Sequence, residues 1–368
     1  MKKVMVYAYT QFNLGDDLFI KVLSERYPET TFMLYAPKAY KRIFKSHPNI
    51  RIVASNNIIF KGLNFIFRRF HVYSFTRRLV AKSCDMSIQI GGSLFIQGEN
   101  WREELQHNQT MKIPNKPFFL LGANFGPFTN HQFYSEYKTL FRTYTDICFR
   151  EKYSYDLFSD LSQVRIADDL VFQLKKPAIT SQKTLILSVI KPSLRKHLAG
   201  YDAIYYRKMA DIAIYFMERG YHVTLMGFCQ IEQDDEAVEM IRQQIPQAYA
   251  HRMTTYIYTT NIDEAVQHIA ESAFVVASRF HAMILGWITG KGVFPIVYSS
   301  KMANVMHDVG FNGAHTNFDT IQTLAAEDVF ASIRTNAIDV TQRVQNKKSH
   351  FDVLDRYLKK SDPRANLS

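Results

Sequence analysis

The segment SRFHAMILGW, residues 278–287, sets an arginine and a histidine two positions apart, just after the apolar run AFVVA. Arginine offers a planar fork matched to phosphate or carboxylate; histidine can hold the same group and move a proton near neutral pH. The helical spacing that follows puts Arg279 and His281 at a strand-to-helix junction, where backbone N–H groups and the helix dipole favour an anion. Ser278 is the expected N-cap of that helix. Tyr298 and Lys301, beyond the strand-like run GVFPIV, add a second cation. Taken alone, the pair reads equally well as a surface ion pair and a histidine packed at a strand end.

Three further clusters could do chemistry. In NLGDD, Asn13 can cap a helix, Gly15 can take a tight turn, and Asp16 or Asp17 could act as a base or accept from a sugar hydroxyl. First-turn acids favoured by the dipole are the plainer reading. In GGSLFIQGENW, Gly91 and Gly92 end a strand and allow close approach of a ligand to the backbone. Glu99 and Trp101 follow, a carboxylate and an aromatic of the sort that bind sugars. In CFREKYS, Arg150 again follows a strand, with a local ion pair as the alternative. Cations behind strand ends in both halves of the chain are what a multiply charged substrate requires.

Positioning such groups needs strands that end together. Short apolar runs alternate with longer amphipathic ones, the rhythm of an α/β protein. KKVMVYAYT, TFMLYAP, DMSIQI, PFFLLGA and DICFR read as strands; after the polar stretch 174–184 the pattern restarts with TLILSVI, HVTLMGF, AFVVA and GVFPIV. The expected architecture is two Rossmann-like domains facing a cleft, residues 1–175 and 176–340. A helical tail, 341–368, is expected to pack back on the first domain. Such sheets bind ligands beyond the carboxyl ends of their strands.

Composition narrows the class. With 368 residues, 47% hydrophobic and 21% charged, the chain suits a soluble two-domain protein. Cys84, Cys148 and Cys229 lie far apart and form no CxxC, which argues against a disulfide scaffold or a zinc site and fits a reducing compartment. The start, MKKVMVYAYTQFNLGDD, reads as a first strand, not a signal peptide, and no apolar run nears the roughly 18 residues of a membrane span. The expected location is cytoplasmic. A formal net charge of +11 suits anionic partners, but no nucleic-acid signature accompanies it. In residues 60–82, Leu63, Ile66, Phe67 and Phe70 fall at helical spacing among Lys61, Arg68, Arg69, Arg77, Arg78 and Lys82. That stretch could lie on an anionic membrane surface or be a core helix with a solvated basic face.

In order and spacing, NLGDD, GGSLF, GANFGPF, CFREKYS, DLVF, SRFHA and YSSK resemble the polysaccharide pyruvyl transferase family. The resemblance implies a glycosyltransferase-B-like fold and transfer of the carbon skeleton of phosphoenolpyruvate to a sugar, generally as a cyclic ketal. Such transfer serves capsules, exopolysaccharides or cell-wall polymers. It implies that Arg279, His281 and Ser278 grip the donor phosphate, with His281 as general acid. Arg150, in the family's Arg-acid-x-x-Ser pattern, would take a second anionic group, and Lys301 matches the lysine of its Tyr-x-x-Lys. Asn13, Asp16, Gly91, Gly92 and Glu99 would line the acceptor side, with Asp16 as candidate base. The chemistry requires no metal or other cofactor. Phe280 stands where a small aliphatic residue is frequent. Family and basic stretch together suggest a lipid-linked acceptor at the inner face of the cell membrane, with galactose the default sugar.

Two rivals stand beside this reading. A glycosyltransferase using a nucleotide sugar commonly places an acid after the phosphate-binding helix to hold the ribose, but no Asp or Glu occurs between Arg279 and Asp308. A nonenzymatic protein that binds polyanions or membranes would leave the two-domain pattern unexplained.

Overall fold

A computed structural model of the chain describes residues 1–69, 74–177, 179–344 and 349–359. Two compact α/β units result. One comprises Met1–Thr10, Leu18–Leu170 and the described part of Asn346–Ser368; the other comprises Gln11–Asp17 and Val171–Gln345. The chain thus passes into the second unit a few residues before the polar stretch 174–184, and a short early segment also belongs there. Phe70 and the tail end, residues 360–368, lie outside the described residues.

The first sheet holds β1 (Lys3–Ala8), β2 (Thr31–Ala36), β3 (Ile50–Ala54), β4 (Met86–Ile90), β5 (Phe118–Ala123), β6 (Asp146–Phe149) and β7 (Val164–Ile166). Its order is β3-β2-β1-β4-β5-β6-β7, parallel throughout. The second holds β8 (Thr184–Ser188), β9 (His222–Gly227), β10 (Met253–Ile257), β11 (Phe274–Ala277), β12 (Gly292–Val297) and β13 (Thr316–Asn317). Its order is β10-β9-β8-β11-β12-β13, again all parallel. β4 and β5, MSIQI and FFLLGA, are buried at every position, as expected of parallel strands covered on both faces. Strand order reverses between β1 and β4 in one sheet and between β8 and β11 in the other, the switch points where doubly wound sheets take ligands.

The aromatic richness of the chain supports one of these strand ends. Phe125, just after β5, packs edge-on against Phe158 at 4.9 Å, and Phe95, after β4, packs edge-on against Tyr137 at 5.2 Å. Phe95 and Phe125 pair as an isolated parallel bridge, so the loops after β4 and β5 are clamped together over an apolar core. The described tail is tied into the same unit. Asp355, in the helix Asp352–Leu358, accepts from Arg26 at 2.6 Å and Tyr27 at 2.6 Å, while Arg165 donates to the carbonyl oxygen of Ser349 at 2.6 Å. Among the described residues, no helix is long and apolar enough to cross a membrane.

Candidate active site

At the second unit's switch point, Ser278 follows β11 and the helix Phe280–Ile288 begins, with Arg279 in extended conformation as its N-cap residue. Ser278 is therefore not the cap. Its N–H donates to the Ser188 carbonyl (3.1 Å), and its fully buried hydroxyl accepts from Tyr205 (2.8 Å), which fixes the strand end. Arg279 N–H donates to Ser188 Oγ (3.2 Å), and the guanidinium is buried.

That guanidinium meets two carboxylates. Nη1 lies 2.6 Å from Glu232 Oε2, and Nη2 contacts Asp234 Oδ1. Asp234 is fully buried, and its other oxygen accepts from the backbone N–H groups of Phe228 (2.8 Å) and Cys229 (3.0 Å), so it is fixed to the loop after β9. Glu232 is part-exposed and shared. Arg195 Nη2 donates to the same Oε2 at 2.8 Å, and Asn13 Nδ2 makes a long 3.5 Å contact with Oε1. Burial pushes the Glu232 carboxyl up, but Arg279 and Arg195 outweigh it and hold it at about 2, with Lys301 adding to the pull. Burial disfavours charge on Arg279 as well, yet the carboxylates of Asp234 and Glu232 more than restore it. Arg195 also covers the Tyr298 ring at 4.6 Å, and Lys301 Nζ lies 5.8 Å from the same ring. Burial raises the Tyr298 hydroxyl, but Lys301, Arg195 and Arg279 together bring it below the ordinary phenol value.

The early segment joins this cluster. Phe12 adopts a left-handed conformation (φ 55°), uncommon for a bulky residue, and turns the chain so that Asn13 bridges to Cys229. Leu14 N–H donates to the Phe228 carbonyl at 3.1 Å, and buried Tyr258 donates to Asp17 at 2.7 Å. These contacts, all to loops at the ends of β9 and β10, are why Asn13 and Asp16 group with the second unit and not with the first-domain side expected for them. Asn13 Oδ1 accepts from Gly15 N–H at 3.0 Å, the expected capping contact at the start of the helix Leu14–Arg26. Gly15 serves close approach, not a turn: a Cβ there would run into the His281 ring, with Cε1 at 2.5 Å and Cγ at 2.7 Å. Asp16 is half-buried, and Asp17 is held in the interior by Tyr258.

The first unit has its own pairing. Arg150 follows β6 and is buried, with Nη1 3.0 Å from Asp169 Oδ2 and Nη2 2.6 Å from Asn124 Oδ1. Gly92 lies against it: a Cβ would come within 2.6 Å of Nη1 and 2.7 Å of Nη2. The Gly92 carbonyl accepts from Asn124 N–H at 2.9 Å. Ser154 donates to Glu151 at 2.7 Å and accepts from Phe125 N–H at 2.7 Å, which gives the Arg-Glu-x-x-Ser pattern a structural role. Gly91 is buried beside Gly92, whereas Glu99 lies on an exposed loop. Trp101 is buried edge-on against Phe133 at 5.5 Å and belongs to the core, not to a sugar-binding surface.

The structure thus brings Asn13, Gly15, Ser278, Arg279, His281 and Lys301 into one unit and Gly91, Gly92 and Arg150 into the other. Sequence reasoning missed Arg195, Glu232 and Asp234. The acids read as ordinary first-turn residues of the helix Asp234–Arg242; KPSLRKH, a basic run directly after the switch strand β8, was the overlooked signal.

Comparison with known proteins decides the family. A family model described as polysaccharide pyruvyl transferase matches residues 13–300. The chain belongs to the polysaccharide pyruvyl transferase family. It is also 22% identical over 264 residues to the amylovoran biosynthesis protein AmsJ of Erwinia amylovora, covering 65% of this chain and 62% of that protein. The match therefore spans less than two thirds of that relative's length. Among solved structures, Anabaena Alr3699/HepE in complex with UDP-glucose superposes with a TM-score of 0.59 at 12% identity, covering 97% of this chain and 100% of that one. Neisseria meningitidis UDP-GlcNAc 2-epimerase bound to UDP-GlcNAc gives 0.57 at 8% identity (98% and 100%), and the calicheamicin glycosyltransferase CalG4 gives 0.54 at 10% (97% of each). The fold is glycosyltransferase-B-like. Family membership makes this pyruvyl transferase a transferase acting on a sugar or polysaccharide acceptor.

Proposed function

We propose that this pyruvyl transferase takes phosphoenolpyruvate as donor and forms a cyclic pyruvate ketal on a sugar, without a metal or other cofactor. The observation that carries the reading is a carboxylate of the chain itself, Glu232, held between two guanidiniums beside Lys301 at a switch point. A place that seats one anion between Arg279 and Arg195 can seat another, and part-exposed Glu232 can swing out when a donor phosphate or carboxylate arrives. Arg150 is proposed for a second anionic group of the donor.

In this mechanism His281, fixed against Gly15, protonates the methylene carbon of the enol, and C2 becomes electrophilic. A sugar hydroxyl adds to C2 and loses its proton, with Asp16 as proposed base. The C2–O bond to phosphate breaks, and inorganic phosphate leaves with the electron pair. A second hydroxyl of the same sugar attacks C2, loses its proton and closes the ketal. The cations oppose charge on the departing phosphate. Galactose of a lipid-linked repeat unit remains the proposed acceptor.

Glu232 also favours a second reading. A nucleotide-sugar transferase needs a carboxylate for the donor ribose; none follows Arg279 in sequence, but Glu232 and Asp234 bring carboxylates to it from another segment. The test is phosphate release from phosphoenolpyruvate with and without galactosides, glucosides and mannosides, beside UDP- and GDP-sugars. Acceptor-dependent release that is absent in His281→Ala supports the pyruvyl reading. Turnover of a nucleotide sugar alone would replace it.

A further inference from the structure

The formal charge of +11 is not spread over the chain. Residues 30–84 carry eleven of the 45 Lys and Arg and none of the 34 Asp and Glu, so the charges balance everywhere else. Within that segment, the helix Ile58–Arg68 has two apolar faces of different character. Leu63 and Phe67 are half-buried; Phe67 stacks on Phe75 at 3.7 Å, and Asn64 Oδ1 accepts from Thr76 N–H at 3.0 Å, latching this helix to the helix Phe75–Lys82. Ile58, Ile59, Phe65 and Ile66 point the other way and are 53–83% exposed. Ile66, expected on the same stripe as Leu63 and Phe67, therefore belongs to the outer face. Leu79 of the second helix is exposed too. Exposed Lys61, Arg69 and Lys82 accompany these apolar side chains, and exposed Lys38 joins them by donating from its N–H to Asn56 Oδ1 (3.0 Å), just before the helix.

We propose that this outer face is a docking surface for an anionic lipid bilayer. Isoleucine and phenylalanine side chains enter the headgroup–acyl boundary, and the surrounding cations meet anionic headgroups. A second copy of the chain is a poor occupant, because it would bring the same uncompensated positive charge face to face. Nucleic acid would pair with the cations but leave the isoleucines and Phe65 in water.

The test is flotation of the full chain with phosphatidylcholine vesicles, with and without about 30 mol % phosphatidylglycerol, at about 50 mM and about 0.5 M salt. Wild type should float with the anionic vesicles at low salt, weakly at high salt and weakly with neutral vesicles. Phe65→Ser/Ile66→Ser should lower the affinity at least about tenfold with an unchanged melting temperature, and Lys61→Glu/Arg69→Glu should abolish the preference for anionic vesicles. No flotation at low salt, equal flotation of the serine variant, or a dimer in sedimentation velocity that the serine variant dissolves would each overturn the assignment.

Discussion

Gly15 and His281 are packed so closely that no side chain fits between them: a β-carbon on Gly15 would overlap the imidazole ring. The first turn of an early helix thereby becomes the wall against which the proposed general acid rests. Gly92 stands in the same relation to the Arg150 guanidinium in the other unit. In each unit a motif glycine leaves room for a motif side chain.

Gly15→Ala should therefore remove most activity while the protein still folds. Alanine ordinarily favours a helix over glycine by up to about 1 kcal/mol, so the clash with His281 is the only adverse term. A shift of the imidazole by about an ångström should lower kcat about 100-fold, measured as phosphate release beside a thermal melt. Gly92→Ala should behave likewise through Arg150.

Glu232→Gln should strengthen donor binding. The amide keeps the shape but lacks the charge that competes for Arg279 and Arg195, so KM for phosphoenolpyruvate should fall about tenfold with little change in kcat. Arg195→Ala should raise KM instead. Under the nucleotide-sugar reading, Glu232→Gln should impair turnover of that donor.

Asp234→Asn should be a stability defect first. It leaves the buried Arg279 charge without its fixed partner, and breaking such a pair costs about 3–5 kcal/mol, readable as a lower urea midpoint. Asp234→Glu should not restore the wild-type midpoint, because the longer side chain cannot keep both backbone contacts to Phe228 and Cys229.

His350 should make the first unit acid-sensitive. Its Nε2 lies 2.8 Å from the Asp168 carbonyl oxygen; burial, then the positive charge of Arg165, holds the imidazole at about 3, against an ordinary 6.5. Between those values the unfolded chain binds the proton and the folded chain does not. Stability should therefore be complete above about pH 6.5 and decline as pH falls toward 3. Denaturation at pH 5 and pH 7.5 should show the loss, and His350→Asn should reduce the difference.

Much of this was legible in the sequence because parallel strands buried on both faces are written as unbroken apolar runs, as in FFLLGA and the strand before Arg279. The glycine pairs and the Arg-x-His segment were visible for the same reason, since they punctuate those runs. Two things were not. Which unit a short segment joins depends on partners distant in sequence, so the contacts of Asn13, Leu14 and Asp17 with the loops after β9 and β10 could not be read from NLGDD. Nor could the counter-charges of Arg279, because Glu232 and Asp234 lie more than forty positions away and look like first-turn acids. Trp101 misled because its type suits a sugar platform, whereas burial against Phe133 is what its volume serves.

The central claim is that His281 delivers a proton to the methylene carbon of phosphoenolpyruvate while a sugar captures C2. The most direct measurement is to run the reaction in heavy water with a competent acceptor and examine the product by mass spectrometry and proton NMR. The account predicts an acceptor heavier by one pyruvate less water, a ketal methyl carrying one deuterium, one phosphate released per product, and no product from His281→Ala. A methyl group without deuterium, or an acceptor that gains a hexose from a nucleotide sugar and nothing from phosphoenolpyruvate, would contradict it.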